Sequence, residues 1–450
     1  MLNKPLRLIE LFAGYGSQAL ALKRLNIPFE HYRIVEFDKY AIKSYNAVHN
    51  TNFATSDIRD IHASDLAIED TDKYNYLMTY SFPCTDLSNA GKGAGMSKGS
   101  NTRSGLLWEV ERILTELNES EKLRLPQFLL MENVTQIHNE QNIKDFGLWV
   151  TFLDSLGYIS KWQDLNAKDF GVPQNRDRCF MVSYLDKSIK YAFPSPIKLT
   201  KSAKDFLEDN VAEKYYIKTE KAKELIEKLV ISNDLDSVIY IKDNTEQGYK
   251  ELDSGGIVNL YYPESLTNRG HVQMRGRICP TVTVGRVVDL STTESKIRDV
   301  SNVITTRQRG LTKHRQESTG VLEQVPKQIK ITSRLAYLNK KRIDNVNQDI
   351  AKALTARDFK GFSSGDTSAT QNGVIEYDYR IRKLTPLECF RLMDIEDKDA
   401  LKMLAVNSES QCYKQAGNSI VVSVMVAIFN NLFCGGSKAT PAQLDIFDIL

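Results

Sequence analysis

At 450 residues and 42% hydrophobic, the chain can bury a full-sized core and is long enough for two or three domains. It has no basic start leading into an apolar run, and its longest apolar stretch, residues 420–433, is too short to span a bilayer; neither secretion nor membrane insertion is expected. The net charge of +2 does not by itself call for a polyanionic partner, and six scattered cysteines without a CxxC pair argue against a disulfide framework or a metal site and for a reducing, cytoplasmic setting.

In chain order, residues 6–12 read as a buried strand, followed by the turn Ala13-Gly14-Tyr15-Gly16-Ser17 and a helix through Leu25. Residues 32–37 form a second predicted strand and 38–49 a helix, and a third strand is read just before Asp57-Ile58. A strand over 74–80 runs to Phe82-Pro83-Cys84, a Gly/Ser/Lys-rich stretch fills 91–104, and a helix over 106–117 precedes a strand over 127–131. Such alternation implies a parallel, doubly wound α/β sheet whose ligands bind beyond the carboxyl ends of its strands, where Phe12, Cys84 and Glu132 all fall. Gln174-Asn175-Arg176-Asp177-Arg178 leads into a strand over 179–182, and the alternation stops near Pro194-Ser195-Pro196.

Residues 202–232 read as a charged helical segment, and 236–375 as an irregular second domain of short strands. Three short echoes occur there, at 281–286, 303–307 and 353–357, too short to establish a repeat. Residues 269–342 hold 16 Lys/Arg against 5 Asp/Glu, an excess of 11 that leaves the rest of the chain near −9. A solvated basic face explains such a run as readily as a phosphate-binding one, but the predominance of Arg in its first two-thirds favours recognition. From Tyr379 the helical pattern returns, with Thr385 as cap, Pro386 at the first helical position and Glu388 three residues on. A mostly apolar final helix over 419–432 is expected to pack on the first domain.

Gly14-Tyr15-Gly16-Ser17-Gln18-Ala19 fits G-x-G-x-x-A after a strand, with Glu36 twenty residues beyond Gly16. Its glycines allow close backbone approach to a ligand and Glu36 suits ribose hydroxyls, so the turn fits a dinucleotide or a methyl donor alike, or a purely structural turn. Asp57 could reach an adenine amino group, although an isolated loop Asp is usually a turn residue. Cys84 at a strand end is where a thiol is exposed with a lowered pKa, although a cysteine so near a core strand is usually a small buried hydrophobe. Arg176 and Arg178 alternate, so on an extended chain they point the same way. A thiol, a carboxylate and two guanidiniums at one sheet edge suit methylation of a pyrimidine at C5: the thiolate adds to C6, Glu132 holds the N3 edge, and an arginine contacts O2. C6 is inaccessible inside a duplex, so the base must be flipped out.

These residues resemble the DNA (cytosine-5) methyltransferase family in several motifs and in their order. Phe12-Ala13-Gly14-Tyr15-Gly16 resembles its methyl-donor motif, Pro83-Cys84-x-x-x-Ser88 its nucleophile motif, Glu132-Asn133-Val134 its glutamate motif, and Gln174-x-Arg176-x-Arg178 its paired-arginine motif. Arg382-x-Leu384-Thr385-Pro386-x-Glu388-x-x-Arg391-Leu392 and Gln415-Ala416-Gly417-Asn418-Ser419-Ile420-Val421 resemble its last two. Tyr15 and Ser17 stand where many relatives carry an apolar residue and a glycine, and Asp86-Leu87 replaces a pair usually beginning with Gln.

The resemblance implies a Rossmann-like doubly wound mixed sheet, with a catalytic domain over 1–195, a basic target recognition domain over 196–377 and a C-terminal return over 378–450. It implies S-adenosylmethionine as cofactor, held by Phe12, Gly14, Gly16, Glu36, Phe37, Asp57, Ile58, Pro83, Asn418 and Ser419, with Phe37 stacking on adenine. Catalysis falls to Cys84, Glu132, Arg176 and Arg178, and contact with double-stranded DNA to Ser88, Arg275, Arg277, Arg307 and Arg309. Restriction-modification is the expected setting, where a cognate endonuclease is a natural partner; a monomer without metal is the default. An RNA cytosine-C5 methyltransferase would use the same chemistry, but the long basic insertion favours a duplex. A dinucleotide-dependent oxidoreductase explains only the glycine turn and Glu36, and an inactive binding module would not need Cys84, Glu132 and Arg178 together.

Overall fold

The computed structural model describes residues 3–84, 86–87, 95–100, 102–217, 230–233, 238–243, 245–253, 256–259, 271–280, 319–326 and 377–435. Strands β1 (Leu6–Leu11), β2 (Phe29–Val35), β3 (Asn75–Tyr80) and β4 (Phe128–Asn133) run parallel, with β2 at the edge and the order β2-β1-β3-β4. Beyond a two-residue strand β6 (Gln174–Asn175), β7 (Asp177–Tyr184) pairs antiparallel with both β4 and β5 (Ile159–Asn166), which completes a six-stranded sheet. The reversal of β7 is decisive for the site: its N-terminal end lies beside the carboxyl end of β4, with Asn133 opposite Cys179.

Both faces are buried, as parallel sheets require. Leu6, Leu8, Leu77, Leu130 and Val182 face one core; Ile9, Leu11, Met78, Leu129, Met131 and Met181 face the other. Helices α1 (Ser17–Arg24) and α2 (Lys39–His49) follow β1 and β2, and a single turn, α3 (Ala63–Leu66), precedes β3. Helices α4 (Leu107–Glu119) and α5 (Ile143–Ser155) pack on the second face through Val110, Ile113, Leu117, Phe146, Trp149 and Leu153.

Alternation along β1 places Glu10 on the first face, fully buried. Its Oε2 accepts from Tyr45 Oη at 2.6 Å, and Tyr45 Oη is 2.7 Å from His31 Nδ1. Burial pushes the Glu10 carboxyl up to about 7, against which the Tyr45 hydroxyl pulls down. The unfolded chain ionises near 4.5, so this group's contribution to stability is full below that pH and is lost as pH rises through about 7. Glu10→Gln should therefore flatten the pH dependence of thermal unfolding over that window and stabilise the protein at pH 8 by roughly 3 kcal/mol, with little effect at pH 4. An unchanged difference in stability between pH 4 and pH 8 would remove Glu10 as its source.

The rest of the described chain builds small antiparallel sheets. Strands β9 (Val230–Asn233), β10 (Val238–Lys242) and β11 (Tyr249–Asp253) form one. Strands β8 (Tyr216–Ile217), β12 (Ile257–Asn259), β13 (His271–Val272), β15 (Thr319–Pro326) and β16 (Tyr377–Lys383) form another, in the order β13-β12-β15-β16-β8. Strand β14 (Cys279–Pro280) pairs parallel with β6. The helix read over 202–232 is corrected. Ser202 and Asp205 close a reciprocal cap on one 3-10 turn, Ala203–Phe206, a second turn covers Glu213–Tyr215, and Tyr216–Ile217 is drawn into pairing with β16. Residues 218–229 lie outside the described residues.

Four helices return to the first sheet: α6 (Pro386–Arg391), α7 (Asp397–Val406), α8 (Glu409–Asn418) and α9 (Val422–Phe433). The expected cap is present, since Thr385 Oγ1 accepts from Glu388 N at 3.2 Å and Glu388 Oε2 from Thr385 N at 2.8 Å. Helix α9 buries Val422, Met425, Ile428 and Phe429 in the first core. By length and composition the span Glu409–Phe433 could cross a membrane, but it is two helices meeting at residues 419–421, and 61% of its most apolar window is buried.

Candidate active site

The carboxyl ends of β1, β3 and β4 form one rim. After β1, Phe12 and Gly14 adopt φ of 58° and Gly16 of 82°. A Cβ on Gly14 would meet nothing within 4 Å, whereas one on Gly16 would meet His49 Nε2 at 2.4 Å and Tyr45 Cε2 at 2.7 Å. Gly16 is therefore needed for close packing of the turn on α2, and Gly14 keeps open space above it. Glu36, at the end of β2, accepts from Gly14 N and Asp38 N, each at 2.9 Å, which ties the turn to the second strand. The neighbouring Phe37 ring is 67% exposed, an unusual state for a phenyl group and one suited to a flat partner.

The third strand read before Asp57 is corrected: residues 51–57 form no strand, and Ser56 N donates to Glu36 O at 2.9 Å. Asp57 caps the 3-10 turn Ile58–Asp60, and its carboxylate takes Arg59 N at 3.0 Å and Arg59 Nη2 at 2.5 Å. Its carboxylate is thus held by Arg59. Ile58 is buried, Asn418 is exposed at the end of α8, and Ser419 follows.

Cys84 lies in the segment after β3. Asn133 Nδ2 donates to Phe82 O at 3.0 Å and Ser104 Oγ to Pro83 O at 2.7 Å, holding that segment from both sides. Asp86 Oδ2 accepts from Arg103 N at 2.7 Å, so the residue that departs from the family pair anchors the far end of the Gly-rich stretch. Glu132 is buried, with Oε1 3.2 Å from Arg178 Nε, and Arg178 Nη1 donates to Asp177 O at 2.7 Å. Burial raises the Glu132 carboxyl, while Arg178 and Arg176 pull it down. The lowered thiol pKa expected for Cys84 is corrected: burial pushes it up, Arg178 lowers it, Glu132 raises it and Arg176 lowers it, with a net rise. A half-buried thiol beside a carboxylate loses more by desolvation than the two arginines restore.

Arg176 occupies a different position from Arg178. It is buried and donates through Nη2 to Gly417 O at 3.0 Å and Ser419 O at 2.6 Å, joining the paired-arginine segment to the loop between α8 and α9. Burial and Arg178 pull its pKa down to about 9. Tyr15, the other departure from the family turn, bonds Ser419 Oγ through its hydroxyl. Neither link was legible in sequence, although a tyrosine in place of an apolar residue was its only signal.

Among the described residues, His138, Asp164 and Cys179 bring ligand atoms within 4.8 Å of one another. His138 Nε2 is already 3.0 Å from Asp164 Oδ1, and burial holds the Cys179 thiol well above its ordinary value, which disfavours the thiolate that a metal needs. Arg275 and Arg277 lie on one turn of the second region, while Ser88, Arg307, Arg309 and the three short echoes lie outside the described residues.

A profile of C-5 cytosine-specific DNA methylases matches residues 6–434. The chain is similar to the type II methyltransferase M2.ScrFI of Lactococcus lactis subsp. cremoris, 35% identical over 260 residues that span 47% of this chain and 70% of that one. It is also similar to the orphan methyltransferase M.SPBetaI of Bacillus phage SPbeta, 28% identical with 95% and 97% of the two chains covered. Among solved structures, the methyltransferase EhMeth of Entamoeba histolytica shares the fold with a TM-score of 0.54 at 14% identity, covering 96% of this chain and 99% of that one. The S. pombe Dnmt2 methyltransferase does so with a TM-score of 0.52 at 16% identity, over 96% and 99%.

Proposed function

The chain belongs to the C-5 cytosine-specific DNA methylase family and is a DNA cytosine-5 methyltransferase; from that premise we propose that it works through a transient bond between Cys84 Sγ and C6 of a flipped-out cytosine. The observation that carries this reading is the convergence of Cys84, Glu132 and Arg178 at one sheet edge, with Glu132 Oε1 3.2 Å from Arg178 Nε. The oxidoreductase alternative loses its footing, because the profile spans the turn, the thiol, the carboxylate and the arginines together, and the family's description as a DNA methylase favours DNA over RNA.

The residues after β1 and β2 fit S-adenosylmethionine: open space at Gly14, an organised Glu36 carboxylate for the ribose hydroxyls, and an exposed Phe37 ring for the adenine. When bound, that cofactor supplies an electrophilic methyl group. Cys84, which burial holds as a thiol, gives up its proton to solvent water and adds to C6, making C5 nucleophilic. Glu132, whose carboxyl burial raises, hydrogen-bonds N3 and the exocyclic amine and supplies a proton toward N3 as the adduct forms. Arg178 steadies Glu132 and contacts O2. After methyl transfer, loss of the C5 proton breaks the Cys84–C6 bond and restores the aromatic ring. Arg176 is a positioning residue, holding the Gly417 and Ser419 carbonyls against the donor side.

Bisulfite sequencing of DNA from cells expressing the protein tests this function. New protected cytosines in one fixed sequence context are expected. Unmodified DNA accompanied by methylated transfer RNA would establish the RNA reading instead.

A further inference from the structure

The turn Gln273–Arg277 has three successive residues in the left-handed region: Met274 (φ 45°), Arg275 (φ 58°) and Gly276 (φ 79°). L side chains rarely adopt that conformation, and it persists where the surroundings hold it. Here the support is specific. A Cβ on Gly276 would meet Leu252 Cδ1 at 2.4 Å and Gly256 Cα at 2.8 Å, so the turn is pressed against the bend between β11 and β12. Asp253 is the last residue of β11, and its carboxylate lies 2.8 Å from Arg275 Nε through Oδ1 and accepts from Arg277 Nε at 2.9 Å through Oδ2. Glu251 adds a contact of 3.2 Å to Arg275 Nη1.

One carboxylate thus engages both arginines at Nε, and among the described residues the Nη groups of Arg277 meet no partner; its side chain is 58% exposed. The cavity beside the turn, of about 640 Å3, is lined by Thr200, Ser202, Lys204, Asp205 and the two arginines. Its lining sets Lys204, Arg275 and Arg277 against Asp205 and Asp253, and Glu251 reaches Arg275 from outside that lining, so little of the positive surplus of a phosphate cradle is left. Fixed guanidiniums with balanced charge suit a base edge better. The turn is also tied to the segment that leads into β7: Ala203 N donates to Arg277 O at 2.5 Å, Cys279 N donates to Pro173 O at 2.7 Å, and Cys279 pairs with Gln174, two residues before Arg176. Met274 stands at its tip, 71% exposed.

We propose that the Gln273–Arg277 turn reads a guanine of the target sequence in the major groove, with Arg277 donating to O6 and N7 and Asp253 as its positioning carboxylate. The proposal rests on the DNA methyltransferase reading. Bidentate donation to O6 and N7 is available to a guanidinium fork and not to an ammonium.

Methylation of a randomised duplex library by wild type, Arg277→Ala, Arg277→Lys and Asp253→Asn, read by bisulfite sequencing, tests it. Wild type should require a guanine at a fixed position. Both Arg277 variants should relax that one position by roughly 5- to 150-fold, the discrimination that one bidentate base contact supplies, and Asp253→Asn should relax the same position. The exposed Arg277 side chain makes Arg277→Lys safe for folding, so its result stands even if another variant is unstable. The proposal is overturned if wild type needs no guanine, if the variants keep its guanine preference, or if Arg277→Ala slows every sequence alike while Arg277→Lys restores the rate, the signature of a phosphate contact. Absence of 5-methylcytosine in every wild-type product would instead contradict the methyltransferase reading itself.

Discussion

Replacing Cys84 with serine is expected to lower methyl transfer to below roughly one ten-thousandth of the wild-type rate, because the proposed addition to C6 depends on its thiolate. A hydroxyl is a far weaker nucleophile than a thiolate, and the neighbouring groups are already stretched. Burial opposes the charge of the Cys84 thiolate, and Glu132 opposes it further, so Arg178 is the main source of relief. The local structure does not depend on the sulfur: Phe82 O is held by Asn133 Nδ2 and Pro83 O by Ser104 Oγ. The variant should therefore unfold at the same temperature as wild type. Turnover measured with a radiolabelled methyl donor, beside thermal unfolding, separates loss of chemistry from loss of fold; residual turnover within a hundredfold of wild type would remove Cys84 from the mechanism.

The second large effect concerns stability. Arg382 and Glu388 form a buried, two-pronged pair, Nη1–Oε2 at 2.8 Å and Nη2–Oε1 at 3.0 Å, with side chains 1% and 0% exposed. Glu388 also accepts from Thr385 N at 2.8 Å and Glu208 N at 2.9 Å, so one carboxylate joins β16, the start of α6 and the segment after Phe206. Arg382→Ala would leave that carboxylate buried without its counter-charge, at a cost of about 3–5 kcal/mol. Arg382→Met combined with Glu388→Gln removes both charges while keeping an acceptor for the cap, and should recover a large part of the loss. Urea unfolding of the two variants checks this; equal destabilisation would show that the charge left behind is not the cause.

The sequence revealed what local backbone and side-chain chemistry dictates. The glycine turn after β1, the cap at Thr385, Pro386 and Glu388, and the placing of Cys84 and Glu132 at the carboxyl ends of strands all follow from neighbours within a few positions. Direction and distance were harder. A strand's period-two pattern is the same either way along the chain, so the reversal of β7, which delivers Arg178 to Glu132, was not legible. Arg176 meets carbonyls 241 and 243 positions away, and nothing near it announces them. The lowered thiol pKa expected at Cys84 failed because burial depends on the whole pocket. The described part of the helix read over 202–232 failed at Tyr216–Ile217, which found a partner in β16, more than 160 positions on, so that tertiary pairing overrode helical propensity. Asp57 shows the opposite case, since Arg59 two positions away already offered it a partner.

The covalent step is the centre of the account, and a duplex carrying 5-fluorocytosine at the target position tests it directly. Fluorine at C5 cannot leave as the proton does, so once methyl transfer has occurred the Cys84–C6 bond cannot be broken. Wild type, incubated with the duplex and S-adenosylmethionine, should form a protein–DNA adduct that survives denaturing electrophoresis, with the nucleotide mapped to the Cys84 peptide by mass spectrometry. Cys84→Ser should form none. An adduct with Cys84→Ser, or turnover of normal DNA by wild type with no adduct on the fluorinated duplex, would contradict the account.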